Sequence, residues 1–158
     1  TDLFQYCLIK TVNTNKEINM SRIDLRWDAK PLKDALKEIQ KVTHSSSNEL
    51  EPIVTKANYQ CCQSCGCSFI AHDHGNDCNY IFYHEQGNEC LKNWGEVNLY
   101  HNIPANQRRF VVDTLRKHGN KVDWNGDQDR SIRVAIPKHY EVVNQEHHLI
   151  ETYIEEVA

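Results

Sequence analysis

Four cysteines fall within seven positions, Cys61, Cys62, Cys65 and Cys67, and no other stretch restricts the path of the chain so tightly. Adjacent Cys61 and Cys62 point in different directions and do not readily pair with each other. The chain holds seven cysteines, an odd number, whereas a secreted disulfide scaffold spreads an even number along its length. The cluster therefore reads as metal ligands, redox thiols or small buried hydrophobes in a reducing, cytoplasmic compartment. His72, His74 and Cys78 follow, and the apolar run Tyr80-Ile81-Phe82-Tyr83 then ends in His84-Glu85-Gln86. No other segment gathers so many groups that can do chemistry.

A chain of 158 residues is enough for one domain with a real core. Its formal net charge of -4 argues against broad nucleic-acid binding, which needs a dense Lys/Arg surface to displace counterions. No apolar run approaches a membrane span, and no signal peptide is visible. The first residue is Thr1, so a leader or initiator Met is not represented.

Periodicity places the elements. Leu3 to Val12 reads as a strand apolar on both faces, followed by a turn at Asn13 to Lys16. Ser21 to Trp27 is ambiguous. Pro31 opens a helix with Asp28 as its expected N-cap, and Leu32, Leu36, Ile39 and Val42 make its apolar stripe. Ser45 to Glu51 is a linker, and Ile53-Val54 begins a short strand. Tyr80 to His84 is a strand in which Tyr80, Phe82 and His84 share a face. A short helix over Gln86 to Trp94 and a strand over Val97 to His101 follow. Asn102 is expected to cap a helix from near Pro104 to His118, ended by Gly119. Val122/Trp124 and Ile132/Val134/Ile136 alternate around Asn125-Gly126-Asp127, a hairpin. Val143, His147, Ile150, Ile154 and Val157 recur every four then three residues, which predicts a last helix from Tyr140 onward.

Cys61-Cys62-Gln63-Ser64-Cys65-Gly66, followed by the aromatic strand ending His84-Glu85-Gln86, resembles an uncharacterised bacterial domain of unknown function. That family carries a Cys-Cys-x-x-Cys-Gly segment, an aromatic strand ending His-x-Gln, a Leu-Tyr strand, a helix with basic residues and a Val-x-Trp-x-Gly hairpin. The later parts correspond here to Leu99-Tyr100, the helix around Arg108 to Lys117, and Val122-Asp123-Trp124-Asn125-Gly126. The resemblance covers residues 57 to 136. Gly87 stands where the family pattern has Asp. The resemblance implies the order of the fold and carries no activity with it.

Cys62-x-x-Cys65 is a tight two-thiolate bite, and Gly66 lets the chain turn behind it. Zn²⁺ takes four ligands in a tetrahedron, usually two pairs of Cys or His. His74-x-x-x-Cys78 offers the second pair in a polar loop. The predicted metal set is thus Cys62, Cys65, His74 and Cys78, with Cys61, Cys62, Cys65 and His84 as the alternative grouping. Two readings compete with metal: inert packing of small thiols, and dithiol exchange in which Cys61 resolves a mixed disulfide. Dithiol exchange of the thioredoxin kind would need a long helix after the cysteines, and the loop from His72 to Asn79 does not resemble one. His84 with Glu85 is a candidate general acid/base pair; a strand-end His bonded to backbone is its bland counterpart. Asp123, Asn125, Asp127 and Asp129 lack the spacing and final Glu of a calcium loop.

These readings predict an α+β fold, a small mixed or antiparallel sheet of about four to six strands with helices packed on it. Residues 1–56 would form an N-terminal strand-and-helix extension, 57–136 the cysteine-cluster core, and 137–158 a C-terminal helix. The expected function is a small zinc- or thiol-centred binding domain. The alternatives are a thiol-dependent or metal-assisted enzyme using the cysteines and His84, and an assembly subunit that docks a protein partner through the last helix.

Overall fold

Strand alternation sets the core. Ile53, Ile81, Leu99, Val97, Ile132, Val134 and Val122 are all buried and all fall on one face of a sheet. The computed structural model describes residues 22–45, 49–143 and 149–155. The expected strand from Leu3 to Val12 and the turn after it lie outside the described residues.

The elements run β1 (Arg22–Trp27), α1 (Lys30–Thr43), β2 (Ile53–Lys56), α2 (Gln63–His74), β3 (Asn79–Phe82), α3 (Glu85–Trp94) and β4 (Glu96–His101). A 3-10 turn (Ala105–Gln107), α4 (Arg108–Lys117), β5 (Lys121–Asp123), β6 (Ile132–Ala135), β7 (Lys138–Val143) and β8 (Leu149–Glu155) follow. A five-stranded sheet has the order β2-β3-β4-β6-β5, and a three-stranded sheet the order β1-β7-β8. Only the β2–β3 pair is parallel in the larger sheet, with α2 as its crossover. The fold is α+β and a single domain, with the mixed sheet that the sequence predicts.

Helices α1 and α4 pack against each other and close the aliphatic face of the sheet, through Leu32, Ala35, Leu36 and Ile39 of α1 and Val111 and Leu115 of α4. Buried polar groups tie the layers. Thr43 Oγ1 accepts the Ile53 N–H, and the Gln40 side chain accepts that of Thr55. Gln107, wholly buried, accepts the Glu51 N–H at 2.7 Å and donates to the Glu51 carbonyl at 3.0 Å. Gly95 ends α3 with φ +70, and a Cβ there would meet the Trp27 ring, so this glycine lets β1 approach.

Three expectations fail. Among the described residues the C-terminal stretch is strand and not helix: β7 and β8 pair antiparallel, and β7 also pairs with β1. Their β-branched and aromatic content suits strands, and β1, drawn from the stretch that read as ambiguous, supplies the partner that a helical reading lacked. Val143, Ile150 and Ile154 of the partner-docking seam therefore lie on strands; His147 and Val157 lie outside the described residues. Asp28 is not the N-cap of α1. Ala29 holds that place, and Asp28 Oδ1 accepts the Lys30 N–H two residues on. Asn102 does not cap α4 but bridges strands, accepting the Tyr80 N–H and donating to the Cys78 carbonyl.

Candidate functional site

The chain leaves β2 along a path that backbone bonds fix. Tyr83 N–H donates to the Lys56 carbonyl, Tyr59 N–H to the Tyr83 carbonyl, and Glu85 N–H to the Gln60 carbonyl. Asn58 and Gln60 adopt left-handed φ angles of 52° and 60°. Non-glycine residues pay about 1 kcal/mol or more for such a conformation, and they concentrate where a loop must aim side chains. Cys61 and Cys62 follow directly, and Cys62 is the N-cap of α2.

The loop brings three thiols together. Cys61 Sγ lies 3.5 Å from Cys65 Sγ and 3.9 Å from Cys62 Sγ. The three sulfurs all fall within 4.8 Å of one another, which positions them to hold a metal ion. Cys62 and Cys65 meet because one helical turn separates them, and Cys61 folds back across the same end. The backbone N–H of Cys65 favours the Cys62 thiolate, with help from the neighbouring thiols and Ser64, so its pKa falls below that of an ordinary thiol. The same neighbours act oppositely on Cys65: hydrogen bonds to Cys61 and Cys62 and their charge push it up to about 11. Three thiolates this close would repel one another, and a bound cation would relieve that repulsion.

Helix α2 is anchored beneath them by one glycine. A Cβ at Gly66 would collide with the Phe82 ring, so the helix backbone lies directly on that ring. Phe82 belongs to an aromatic row on this face of β3 and β4. Tyr59, Tyr80 and Tyr100 each contact it at ring separations of 5.7–6.3 Å, and His84 stacks on Tyr100 at 5.3 Å.

The other predicted residues are placed elsewhere. His74 ends α2, about 18 Å along the helix axis from its start, and Cys78 lies beyond it. The preferred set of Cys62, Cys65, His74 and Cys78 is therefore not assembled, because residues 63–74 form a helix and not the loop that would wrap an ion. The loop expected from His72 to Asn79 is shorter, since His72 to His74 belong to the helix. Only Gly66 and Ile70 of α2 are buried, so the sequence had no apolar stripe to reveal it. Cys67 turns to the Tyr80 hydroxyl, 3.5 Å away, and Cys78 to the Asn79 carbonyl, its pKa raised by burial.

His84 sits at the N-cap of α3, where its Nδ1 accepts the Gly87 N–H. Burial lowers its pKa, which keeps the ring neutral with its remaining proton on Nε2. Glu85 is exposed in the first turn of α3 and makes no contact with the His84 ring among the described residues. His84 is joined to the cysteine loop through the Glu85–Gln60 backbone bond, but lies outside the group of three sulfurs. It instead lines a cleft of about 450 Å³ beside α3, together with residues that the sequence did not single out, among them Cys90, Trp94, Asn98 and Arg133. Their signal was available: Gln86, Cys90 and Trp94 recur every four residues on one side of α3.

The chain belongs to the DUF6891 family, a domain of unknown function, whose profile matches residues 34–138, about two thirds of its length. That span begins within α1, ends at the start of β7 and contains the thiol cluster and the whole cleft. No curated protein and no solved structure matches the chain. Among the described residues no helix is long and apolar enough to cross a membrane.

Proposed function

We propose that this chain is a zinc-centred binding domain whose ion is held by the thiolates of Cys61, Cys62 and Cys65. The observation that carries the reading is the convergence of three sulfurs within 4.8 Å at the start of one helix. Thiolate donors select thiophilic ions, and zinc takes them in a tetrahedron. Three protein ligands leave one position of that tetrahedron, which an exogenous ligand or a partner's side chain would fill. Residues 57–136 carry the centre in this reading, and a reducing compartment keeps its thiols available.

Metal analysis of the reduced full chain tests the proposal. About one zinc ion per chain is expected, falling to background in Cys62→Ser and Cys65→Ser. Cys90→Ser, His74→Ala and Cys78→Ser should keep it. Reduced protein that binds no metal from a zinc-supplemented buffer would overturn the assignment. Loss in His74→Ala and Cys78→Ser equal to that in Cys65→Ser would restore the set that spans the helix.

The opposed shifts of Cys62 and Cys65 favour a second reading, dithiol exchange, in which Cys62 attacks and Cys61 or Cys65 resolves. It predicts a disulfide within residues 61–65 after treatment with oxidised glutathione, and alkylation of Cys62 ahead of Cys65 near neutral pH.

A further inference from the structure

The cleft beside α3 is built from two faces that the core does not use. On α3, Gln86, Cys90 and Trp94 lie one turn apart, while Leu91 points to the core. On β4, Glu96, Asn98 and Tyr100 alternate with buried Val97 and Leu99. His84 closes one end of the cleft, and Arg133 stands opposite Asn98 on β6.

We propose that this cleft is a binding site, separate from the thiol cluster, for a flat uncharged nitrogen heterocycle of the nucleobase type, taken as a nucleoside. Three features carry the proposal. The first is aromatic surface: Trp94 is 71% exposed at the rim, and Tyr100, packed between Phe82 and His84, lines the wall. A flat ring recovers apolar contact from such a wall without regard to its substituents. The second is hydrogen-bonding capacity. Among the described residues the side chains of Gln86 and Asn98 have no internal partner, and each amide offers a donor beside an acceptor, the pattern that reads the edge of a base. His84 adds an Nε2–H donor, because its Nδ1 is taken by Gly87. The third is charge. Arg133, the one Arg or Lys of the lining, is paired with Glu96, whose carboxylate balances its charge, so the cleft carries no net positive charge to draw a phosphate. The volume of about 450 Å³ admits a ring and its sugar.

Calorimetric titration of the reduced full chain with adenosine, guanosine, cytidine and uridine tests this, with the Trp94 indole signal followed by NMR. At least one nucleoside should bind with a Kd of about 0.1 mM, the strength usual for a ligand of that size. Gln86→Ala and Asn98→Ala should each weaken it about tenfold, and Trp94→Ala at least as much. All three positions are exposed, so circular dichroism should not change. Cys62→Ser should bind the nucleoside as the unaltered chain does, which separates this site from the metal centre. The proposal is overturned if none of the four binds at millimolar concentration, or if binding survives all three cleft substitutions. A 5′-monophosphate binding tenfold more tightly than its nucleoside would equally overturn the assignment of a neutral ligand.

Discussion

Helices α1 and α2 are nearly equal in length and stand in opposite relations to the core. Four residues of α1, Leu32, Ala35, Leu36 and Ile39, are at most 2% exposed, and its charged residues face outward. Helix α2 buries only Gly66 and Ile70, leaves Phe69 about half exposed, and has the three converging thiols at its start, Cys61 just before it, Cys62 at its N-cap and Cys65 in its first turn. A helix of this length is marginal in water on its own, so packing must supply its order. In α1 apolar burial supplies it. In α2 burial supplies little, and the close seat on Phe82 and the thiol cluster are what remain. Of the two, the helix that buries less is the one with thiols to spare for a ligand.

Ile39→Ala should have the largest effect on stability, about 2–5 kcal/mol, because it leaves a cavity between α1 and the sheet. Thermal or urea unfolding measures it, and zinc stoichiometry should be unchanged. A loss below about 1 kcal/mol would show that α1 is not held by its apolar face. Zinc should come next and act on the other helix. At about 100 times its Kd an ion bound only to the folded chain adds about 2.7 kcal/mol. Cys62→Ser should abolish that gain. Hydrogen exchange should show new protection concentrated in residues 61–74 and little change in α1. Protection spread evenly over both helices would break the contrast.

Gly66→Ala should cost about 1–3 kcal/mol through overpacking, although alanine would gain up to about 1 kcal/mol of helix propensity. Overpacking wins because the new Cβ would meet a Phe82 ring already flanked by Tyr59, Tyr80 and Tyr100. The same substitution should loosen the thiol geometry and weaken zinc binding. A more stable Gly66→Ala protein would mean that α2 does not rest on that ring.

The same contrast explains what the sequence disclosed. The stripe of α1 and the alternation of β5 and β6 were legible because each buries one face, and burial writes a period into the chain; the aromatic run of β3 was legible from its strand-favouring residues, since Ile81 and Phe82 bury opposite faces. Helix α2 wrote none, so its thiols, read as part of a loop, were paired with His74 and Cys78 at its far end. Cys61 and Cys62 with Cys65 remained visible as three of the four members of the alternative grouping, since one helical turn or one tight loop brings them equally close. Strands β7 and β8 misled differently: Val143, Ile150 and Ile154 satisfy a helical spacing by chance, and only pairing with β1 decides the matter. Gln107 and Asn102 show a third limit. Each serves a backbone group distant in sequence, Glu51 for one and Tyr80 with Cys78 for the other, and no local pattern announces such a partner.

The smallest effect sharpens the comparison from the surface. Glu38, on the outer side of α1, accepts from Lys117 Nζ at 3.0 and 3.1 Å and lies 3.3 Å from His118 Nε2, tying α1 to the end of α4. Among the described residues the only contact on α2 of that kind is the local one between the His72 ring and the Asp73 carboxylate. Lys117, foremost, and then His118 hold the Glu38 carboxyl below its ordinary value of 4.5 against the opposing effect of burial. A carboxylate whose pKa is depressed by folding contributes stability that is fully present above the unfolded value and lost as pH falls through the folded one. Glu38→Gln should therefore destabilise the chain by less than about 1 kcal/mol at neutral pH, because the pair is partly solvated and screened. The gap between Glu38→Gln and the unaltered chain should close as pH falls below 4.5, and shrink in high salt. Unfolding curves of both proteins across that range measure it, and a gap that persists in acid would assign the effect to packing of the side chain and not to its charge.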